Sequence, residues 1–240
     1  MRLVDCHSHV VPSGDDGAQT LADGLELCDL AADAGTTVLF ATPHVWPHLT
    51  LTDERERAIR SVYERLRSRA RLEVRLGFEL TPAPPLLRED PARYVLAGTE
   101  VVLAEMPFLG PASDLIELAL HVEREGLTPL VAHPERTEPV LARPELAREL
   151  AERWPLQLNA SSLLGRHGRE IEELAWELLD VASVVASDGH RLTRPARLDD
   201  AYERVRDRVG EDAALPLFDG TGLGLRSARP TPSRGAAPGA

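Results

Sequence analysis

The sequence predicts an α/β fold in which seven strand–helix units form a closed or nearly closed parallel barrel. Short apolar runs rich in β-branched residues recur seven times, several without polar alternation, as in parallel strands covered on both faces. Helical patterns lie between these runs, and such a succession implies a parallel sheet, most simply a barrel. An open doubly wound sheet is the structural alternative.

The predicted strands begin at the N-terminus and continue to the last third of the chain. In order they cover residues 3–4, 36–40, 72–78, 101–103, 129–131, 156–158 and 183–186. Each run is short, as strands usually are, and each is followed by polar residues or a turn.

The predicted helices begin at recognisable capping residues. Thr20 with Asp23 three residues later resembles a capping box, and Thr52 is placed to cap the next helix. Ser113 precedes a third helical pattern, and Pro144 suits the first turn of a fourth. Two later segments carry apolar stripes at helical spacing: Ile171, Leu174, Ala175, Leu178 and Leu179, then Leu198, Tyr202, Val205 and Val209.

The length of 240 residues, with 43% apolar residues, suits one large domain or two small ones. No linker divides the chain, so we expect a single domain over residues 1–225. Residues 226–240, RSARPTPSRGAAPGA, have too few apolar side chains to pack and are predicted to be a disordered tail.

The charge argues against some classes of partner, and the cysteine content indicates the compartment. The net charge of −12 argues against nucleic acid and anionic membranes. Two cysteines are too few for a disulfide framework, which predicts a reducing, cytoplasmic location. The N-terminus lacks a signal-peptide pattern, and no apolar run approaches the roughly 18 residues of a membrane span.

Polar side chains follow every predicted strand. They are Asp5, His7, His9 and Asp16 after the first, then His44, Glu79, Glu105, His133 with Arg136, Asn159, and finally Asp188 with His190. The carboxyl ends of parallel barrel strands open on one face, so we expect these side chains to converge. Imidazole and carboxylate groups are ligands for divalent transition metals, so the series predicts a metal site.

Other polar and aromatic residues have weaker signals. Asp5 is expected to orient a histidine rather than bind metal, and Asn159 to serve a turn or a similar orienting role. Trp46 and His48 lie in the loop after the second strand, near the expected mouth of the barrel, and are candidate substrate contacts. His167, near the start of a helix, is a further candidate.

The motifs DCHSH, GDDG, ATPH, GFEL, AEMP, AHPER, NASSLLGRHG and SDGH follow the order and spacing of the polymerase-and-histidinol-phosphatase (PHP) superfamily. Residues 1–192 resemble more closely its bacterial manganese-dependent tyrosine-protein phosphatases, linked to capsule and exopolysaccharide synthesis. The resemblance implies a distorted seven-stranded (β/α) TIM-like barrel, the PHP fold, with three divalent metal ions. Manganese is the expected metal, and iron and zinc share these ligand types.

The resemblance also implies a ligand set for each ion. His7, His9, Glu79 and Asp188 match the ligands of one ion; Glu79 bridges to a second, completed by Glu105 and His133; Asp16, His44 and His190 match the third. Arg136, in HPER, matches an arginine that holds phosphate, and it is grouped with Asp188 and His190 as catalytic. The chain departs from the family at Val45-Trp46-Pro47-His48, where relatives often have a second histidine and a basic residue.

The function predicted from these residues is metal-assisted hydrolysis of a phosphomonoester. Three divalent ions against four carboxylates leave a site charge of about +2, which can hold a phosphate dianion in an acidic protein. A hydroxide held between metals is expected to attack phosphorus in line, while Arg136 clamps the phosphoryl group. The expected substrate is a phosphotyrosine protein, such as a bacterial tyrosine kinase tail, or a small phosphomonoester. The oligomeric state stays open, and a homo-oligomer is one alternative because relatives assemble.

Rival mechanisms differ in how well the sequence accommodates them. A cysteine phosphatase needs Cys-x5-Arg, but Pro12 and Ala34 stand where the arginines would be, and Gly-x-Ser-x-Gly and P-loop motifs are absent. A histidinol-phosphatase-like enzyme remains open. A metal-dependent amidohydrolase is also open, although the chain lacks the lysine that often bridges two metals there. A non-catalytic regulatory module of polysaccharide export is the alternative from another class.

Overall fold

The computed structural model describes residues 2–225, so the predicted tail at 226–240 lies outside the described residues. The strands are β1 (Leu3–Ser8), β2 (Thr36–Ala41), β3 (His44–Val45), β4 (Glu73–Leu76), β5 (Glu79–Leu80), β6 (Val101–Glu105), β7 (Thr128–Ala132), β8 (Leu156–Asn159) and β9 (Val184–Ala186). The α-helices are α1 (Leu21–Asp33), α2 (Asp53–Arg67), α3 (Ser113–Arg124), α4 (Glu138–Ala142), α5 (Glu145–Ala151), α6 (Ala160–Leu163), α7 (Arg169–Glu177), α8 (Asp199–Val209) and α9 (Glu211–Ala214).

These strands form two parallel sheets, and the predicted α/β class is confirmed. One sheet has the order β1-β2-β4 and the other the order β3-β5-β6-β7-β8-β9. Every paired neighbour is parallel. The prediction of one closed seven-stranded barrel is not confirmed, because the described strands form two separate sheets.

Two of the predicted strands, now β2 and β4, are each followed by a second short strand, β3 and β5, that the sequence did not predict. Thr42 and Pro43 separate β2 from β3, and Pro43 has no N–H to donate to a ladder. Gly77 and Phe78 separate β4 from β5. A Cβ at Gly77 would lie 2.4 Å from Leu96 Cδ2, so a glycine permits the close approach of the neighbouring chain. As a result, β3 begins with His44 and β5 begins with Glu79, and both residues lie at the expected site.

Backbone hydrogen bonds join β1 to the segment that follows β9. His9 N donates to Gly189 O at 2.7 Å, and Asp188 N donates to His7 O at 2.9 Å. Ser8 and Gly189 form an isolated parallel bridge. These bonds fix the first and last motifs of the site, DCHSH and SDGH, side by side.

The strands are buried on both faces, as their continuous apolar runs predict. One cluster on the strands includes Val4, Cys6, Phe40, Leu103 and Leu130. A larger cluster packs the other faces of the strands against the helices. Cys6 and Cys28 are buried free thiols.

The predicted caps are largely confirmed. Thr20 Oγ1 accepts a hydrogen bond from Asp23 N at 3.2 Å, and Asp23 Oδ2 accepts one from Thr20 N at 2.8 Å. Thr52 Oγ1 accepts from Arg55 N at 3.2 Å. Each such cap contributes on the order of 1 kcal/mol and fixes where the helix begins. Among residues 2–225, no helix combines the length and apolar character needed to cross a bilayer.

Candidate metal centre

The structure gathers the predicted ligands at the carboxyl ends of the strands. His7 lies inside β1 and Glu105 is the last residue of β6, whereas His44 and Glu79 begin β3 and β5. His9, His133, Asp188 and His190 follow strands, and nearly all of these side chains are buried. Residues up to 183 positions apart in the sequence, as His7 and His190 are, therefore meet at one end of the sheets.

Glu79 lies at the centre of the cluster. Its Oε2 is 3.0 Å from His7 Nε2, 3.3 Å from His9 Nε2 and 2.9 Å from His44 Nδ1. Its Oε1 is 3.0 Å from His133 Nε2. One carboxylate thus faces four imidazoles contributed by three different segments, which is the arrangement expected of a group that bridges two cations.

The orientation of His7 leaves its metal-binding nitrogen free. Nδ1 lies 2.9 Å from Gln157 Oε1, and because an amide oxygen only accepts, Nδ1 carries the hydrogen. Nε2 of His7 then presents a lone pair, 3.2 Å from His9 Nε2. Two imidazole nitrogens and the buried Glu79 Oε2, which has no hydrogen-bond donor, therefore converge on one point. A cation is the group that such a donor set fits.

Asp188 occupies a strained position beside this cluster. Its φ is 51° and that of His133 is 36°; in the described part of the chain these are the non-glycine residues with positive φ. Left-handed backbone is costly for residues with a Cβ and occurs at functional sites. Here it turns both side chains from the strand ends toward the centre. Asp188 Oδ1 lies 3.5 Å from both His7 Nε2 and His9 Nε2.

The outer edge of the cluster is more open. Asp16 Oδ1 lies 3.3 Å from His190 Nε2 and 3.6 Å from His44 Nε2, and about half of the Asp16 side chain is exposed. Three groups have their ligand atoms within 4.8 Å of one another: His9 with His44 and His190, His7 with His9 and Glu79, and His44 with Glu79 and Glu105. Each group has the composition of a site for a divalent metal ion.

Neighbouring carboxylates in the cluster have opposed pKa shifts. Burial would raise the pKa of Glu79, but His7 and His44 hold it well below its usual range. Burial raises the pKa of Glu105 to about 8, and repulsion from Glu79 adds to this, while Thr81 donates to Glu105 Oε2 at 2.5 Å. A nearby divalent cation would favour the ionised form of Glu105, since metal ligands bind deprotonated. The ionised Glu79 carboxylate therefore gives the cluster a negative charge that a bound divalent cation would balance.

The buried histidines also have opposed pKa shifts. Burial would lower the pKa of His7 and of His9, but neighbouring carboxylates, Glu79 and Asp188 among them, raise both. The pKa of His190 falls to about 4 because the ring is buried and lies beside His9. That of His133 is lowered mainly by burial. Neutral imidazoles are the form that binds metal.

The predicted orienting residues have mixed outcomes. Asn159 Nδ2 donates to Asp188 Oδ2 at 2.9 Å, and the Asn159 side chain also caps α6. Asp5 instead accepts hydrogen bonds from backbone N–H groups, Ser187 N at 3.0 Å and His7 N at 3.4 Å, and contacts no imidazole nitrogen within hydrogen-bonding distance. Gln157, which the sequence analysis did not select, orients the His7 ring.

A cavity of about 270 Å³ opens above the cluster. It is lined by Asp16, His44, Trp46, Glu105, Phe108, His133, Arg136, Asp188, His190 and Arg194. Arg136 Nη1 donates to Asp188 Oδ2 at 2.6 Å, and Arg194 contacts both His190 and Asp188. The cavity thus combines the candidate ligands with two guanidinium groups.

Of the three residues predicted to contact substrate, one lines this cavity and two do not. Trp46 lines it, whereas His48 is exposed, stacks on the Trp46 ring at 5.3 Å and lies outside the lining. His167 bonds through Nδ1 to Ser162 Oγ at 3.0 Å and also lies outside the lining. Phe108 and Arg194 line the cavity although the sequence analysis selected neither.

Comparisons with known proteins agree with this geometry. The family model for capsular polysaccharide synthesis, CpsB/CapC, matches residues 3–221. Tyrosine-protein phosphatase YwqE of Bacillus subtilis is 27% identical over 237 residues, covering 94% of this chain and 92% of its own.

Two solved structures are also similar to this chain. The crystal structures of YwqE from Bacillus subtilis and CpsB from Streptococcus pneumoniae, metal-dependent tyrosine phosphatases, match with a TM-score of 0.80 and 25% identity, covering 90% of this chain and 91% of the other. An inactive dihydroorotase-like domain from Chaetomium thermophilum matches with a TM-score of 0.57 and 11% identity, covering 94% of this chain and 79% of the other, which shows a shared fold alone.

Proposed function

The chain belongs to the CpsB/CapC family of capsular polysaccharide synthesis, and from this membership we propose that it is a metal-dependent protein-tyrosine phosphatase. The observation that carries the proposal is the position of Glu79, whose Oε2 lies within 3.3 Å of three imidazole nitrogens beneath a cavity lined by two arginines. Relatives with metal-dependent tyrosine phosphatase activity support it.

The same proposal extends to the fold and its boundaries. We propose that the two sheets form one distorted seven-stranded barrel within a single domain over residues 1–225. In it, β2 with β3 and β4 with β5 each act as one interrupted strand. The hydrogen bonds between β1 and the segment after β9 support closure on the remaining side.

The proposed metal ligands divide among three divalent ions, with manganese as the expected metal. They are His7, His9, Glu79 and Asp188 for the first, Glu79, Glu105 and His133 for the second, and Asp16, His44 and His190 for the third. Bound ions would supply Lewis acidity toward the phosphoryl oxygens and lower the pKa of a water molecule that serves as nucleophile.

The two arginines provide the remaining positive charge. Arg136, with 14% of its side chain exposed, faces the cavity, and Arg194 is 30% exposed at its rim. Guanidinium groups bind phosphate through paired N–H donors, so we assign Arg136 to the phosphoryl oxygens and Arg194 to the same group from the rim. Fixed donors already oriented before substrate binds stabilise charge at little further entropic cost.

The leaving group of this reaction is a phenolate. A phenol has a pKa near 10, so its oxygen needs less protonation than the alkoxide of serine. This chemistry suits a site whose lining offers cations and metal ligands rather than an additional free acid. The chain has no lysine, so an amidohydrolase mechanism with a carbamylated lysine is closed to it.

The proposed substrate is a phosphotyrosine protein, for example a bacterial tyrosine kinase tail, in the cytoplasm. The two cysteines are unpaired buried thiols, in keeping with a reducing compartment. Net charge of −12 disfavours nucleic acid as a partner.

Substrate turnover by the manganese-loaded protein tests the proposal. The substrates are a phosphotyrosine peptide, a phosphoserine peptide with the same flanking sequence, and histidinol phosphate. We expect the phosphotyrosine peptide to have the highest kcat/KM and the chelated protein to be inactive. Preference for histidinol phosphate would assign a small-molecule phosphatase, and turnover of none would favour a non-catalytic module.

A further inference from the structure

The cavity above the candidate metal centre has two aromatic residues in an otherwise charged or polar lining. Trp46 follows β3, and Phe108 lies in the loop after β6. Phe108 is 40% exposed and lines the cavity beside charged groups. Both rings contact the cavity to which the phosphoryl group is assigned, so they are placed to meet whatever the phosphate is attached to.

Trp46 is held in position by its neighbours. Its ring stacks on the His44 imidazole with centroids 4.3 Å apart and an interplanar angle of 26°. Its carbonyl accepts a hydrogen bond from Leu49 N at 3.0 Å, and Arg55 donates to both His44 O and Leu49 O at 2.9 Å. The turn that carries the ring is thus fixed on both sides of Trp46 by one arginine.

Phe108 has a corresponding arrangement. Its ring stacks on the His133 imidazole with centroids 5.6 Å apart and an interplanar angle of 19°. The Arg136 guanidinium lies 5.0 Å from the ring centroid, and Glu138 N donates to Phe108 O at 2.9 Å. The ring is therefore placed beside the arginine assigned to phosphate. The next residue, Leu109, is 76% exposed and lies outside the cavity lining.

We propose that Trp46 and Phe108 form an aryl-binding subsite that selects phosphate carried on an aromatic ring. The inference rests on the proposed phosphatase function and assigns its substrate preference to these two side chains. Aromatic rings favour offset-stacked or edge-to-face contact with another ring, and Arg136 can bind phosphate while it packs on Phe108. A serine phosphate has no ring to offer and would leave both aromatic side chains hydrated.

Binding of two phosphonates isolates the subsite from the chemistry of the leaving group. Phenylphosphonate and methylphosphonate share a charged head group and differ in the presence of a ring. Their Kd values are measured by calorimetry on the manganese-loaded protein for Phe108→Leu, Trp46→Leu, the double variant and wild type. Leu109→Ala is the control, since it changes an exposed apolar residue next to Phe108. Metal content of each variant is measured by elemental analysis.

The wild-type protein should bind phenylphosphonate more tightly than methylphosphonate. Each single variant should reduce this preference by about 2- to 10-fold, and the double variant by more, because an aromatic pair contributes that much beyond area burial. Leu109→Ala should leave it unchanged, and the kcat/KM for a phosphotyrosine peptide should fall in parallel with phenylphosphonate affinity.

Three results would overturn the subsite. They are equal binding of the two phosphonates by wild type, an unchanged preference in the double variant, and an equal loss of both ligands together with loss of metal. The last would mean that the rings only support His44 and His133. If wild type prefers phenylphosphonate but hydrolyses no phosphomonoester, the subsite stands and the proposed function fails.

Discussion

Arg136 and Asp188 form a partly buried ion pair, with Nη1 donating to Oδ2 at 2.6 Å. The two oxygens of Asp188 have different partners, since Oδ2 also accepts from Asn159 Nδ2 at 2.9 Å, while Oδ1 lies 3.5 Å from His7 Nε2 and His9 Nε2. The carboxylate therefore connects the proposed phosphate-binding arginine to the proposed metal ligands. A change in Arg136 should affect the anion more than the metal, because Oδ1 keeps its own partners.

Arg136→Ala should retain manganese and lose affinity for phosphate. A hydrogen bond to a charged group contributes about 1.5–3 kcal/mol, so the inhibition constant of inorganic phosphate should rise by about 10- to 100-fold. Inhibition assays and elemental analysis measure the two effects separately. Arg143→Ala is the control, because Arg143 pairs with Glu149 on the surface. An inhibition constant equal to that of wild type would remove Arg136 from phosphate binding.

Glu79→Gln should lower the metal content and abolish activity while leaving the fold intact. The amide is nearly the same size, but it brings N–H donors and no charge to a position within 3.3 Å of three imidazole nitrogens. Metal content, turnover and circular dichroism report the three properties. Glu73→Gln is the matched control, since Glu73 is an exposed partner of Arg75. A fully active Glu79→Gln protein would exclude the bridging role.

Local signals in the sequence predicted much of this arrangement. The capping box of Thr20 and Asp23 is set by residues three positions apart, and the structure contains it. The candidate ligands follow the strands because parallel strands present their carboxyl ends together, a rule that needs no knowledge of loop conformation. Element identity and the gathering of the histidines therefore followed from pattern alone.

The features that were missed depend on tertiary contacts. Gly77, between β4 and β5, permits the close approach of Leu96, nineteen positions later. Phe108 and Arg194 reach the cavity through the paths of their loops, which no periodicity encodes. Gln157 did leave a signal, because an amide between Leu156 and Leu158 in a buried strand requires a partner, and that partner is His7.

Removal of metal should inactivate the protein and lower its Tm. A ligand that binds the native state at 100 times its Kd stabilises by about 2.7 kcal/mol, which for a chain of this size corresponds to about 5–10 °C. EDTA followed by gel filtration, then thermal unfolding with and without added Mn²⁺, measures the shift. The Tm of Glu79→Gln should rise less with manganese than that of wild type, because the ligands proposed for two of the three ions include Glu79. If wild type keeps its activity and Tm after chelation, the metal mechanism is wrong.

In Gly24→Ala, a gain in helix propensity is opposed by an unfavourable change in packing. In an open helix the change to alanine gains about 1 kcal/mol. At Gly24, however, a Cβ would lie 2.1 Å from Val10 O and 2.8 Å from Leu66 Cδ1. Since a backbone carbonyl cannot rotate away, α1 must shift, and overpacking of this kind costs about 1–3 kcal/mol.

We expect Gly24→Ala to be less stable than wild type by up to about 2 kcal/mol, after the gain in propensity is subtracted. Urea unfolding of the metal-free protein measures this difference without a contribution from bound ions. Glu26→Ala, an exposed change on the same helix, should stay within about 0.5 kcal/mol of wild type. Because Val10 directly follows His9, the shift of α1 should also weaken manganese binding in Gly24→Ala and not in Glu26→Ala. Greater stability of Gly24→Ala than of wild type would show that Val10 leaves room for a Cβ on α1.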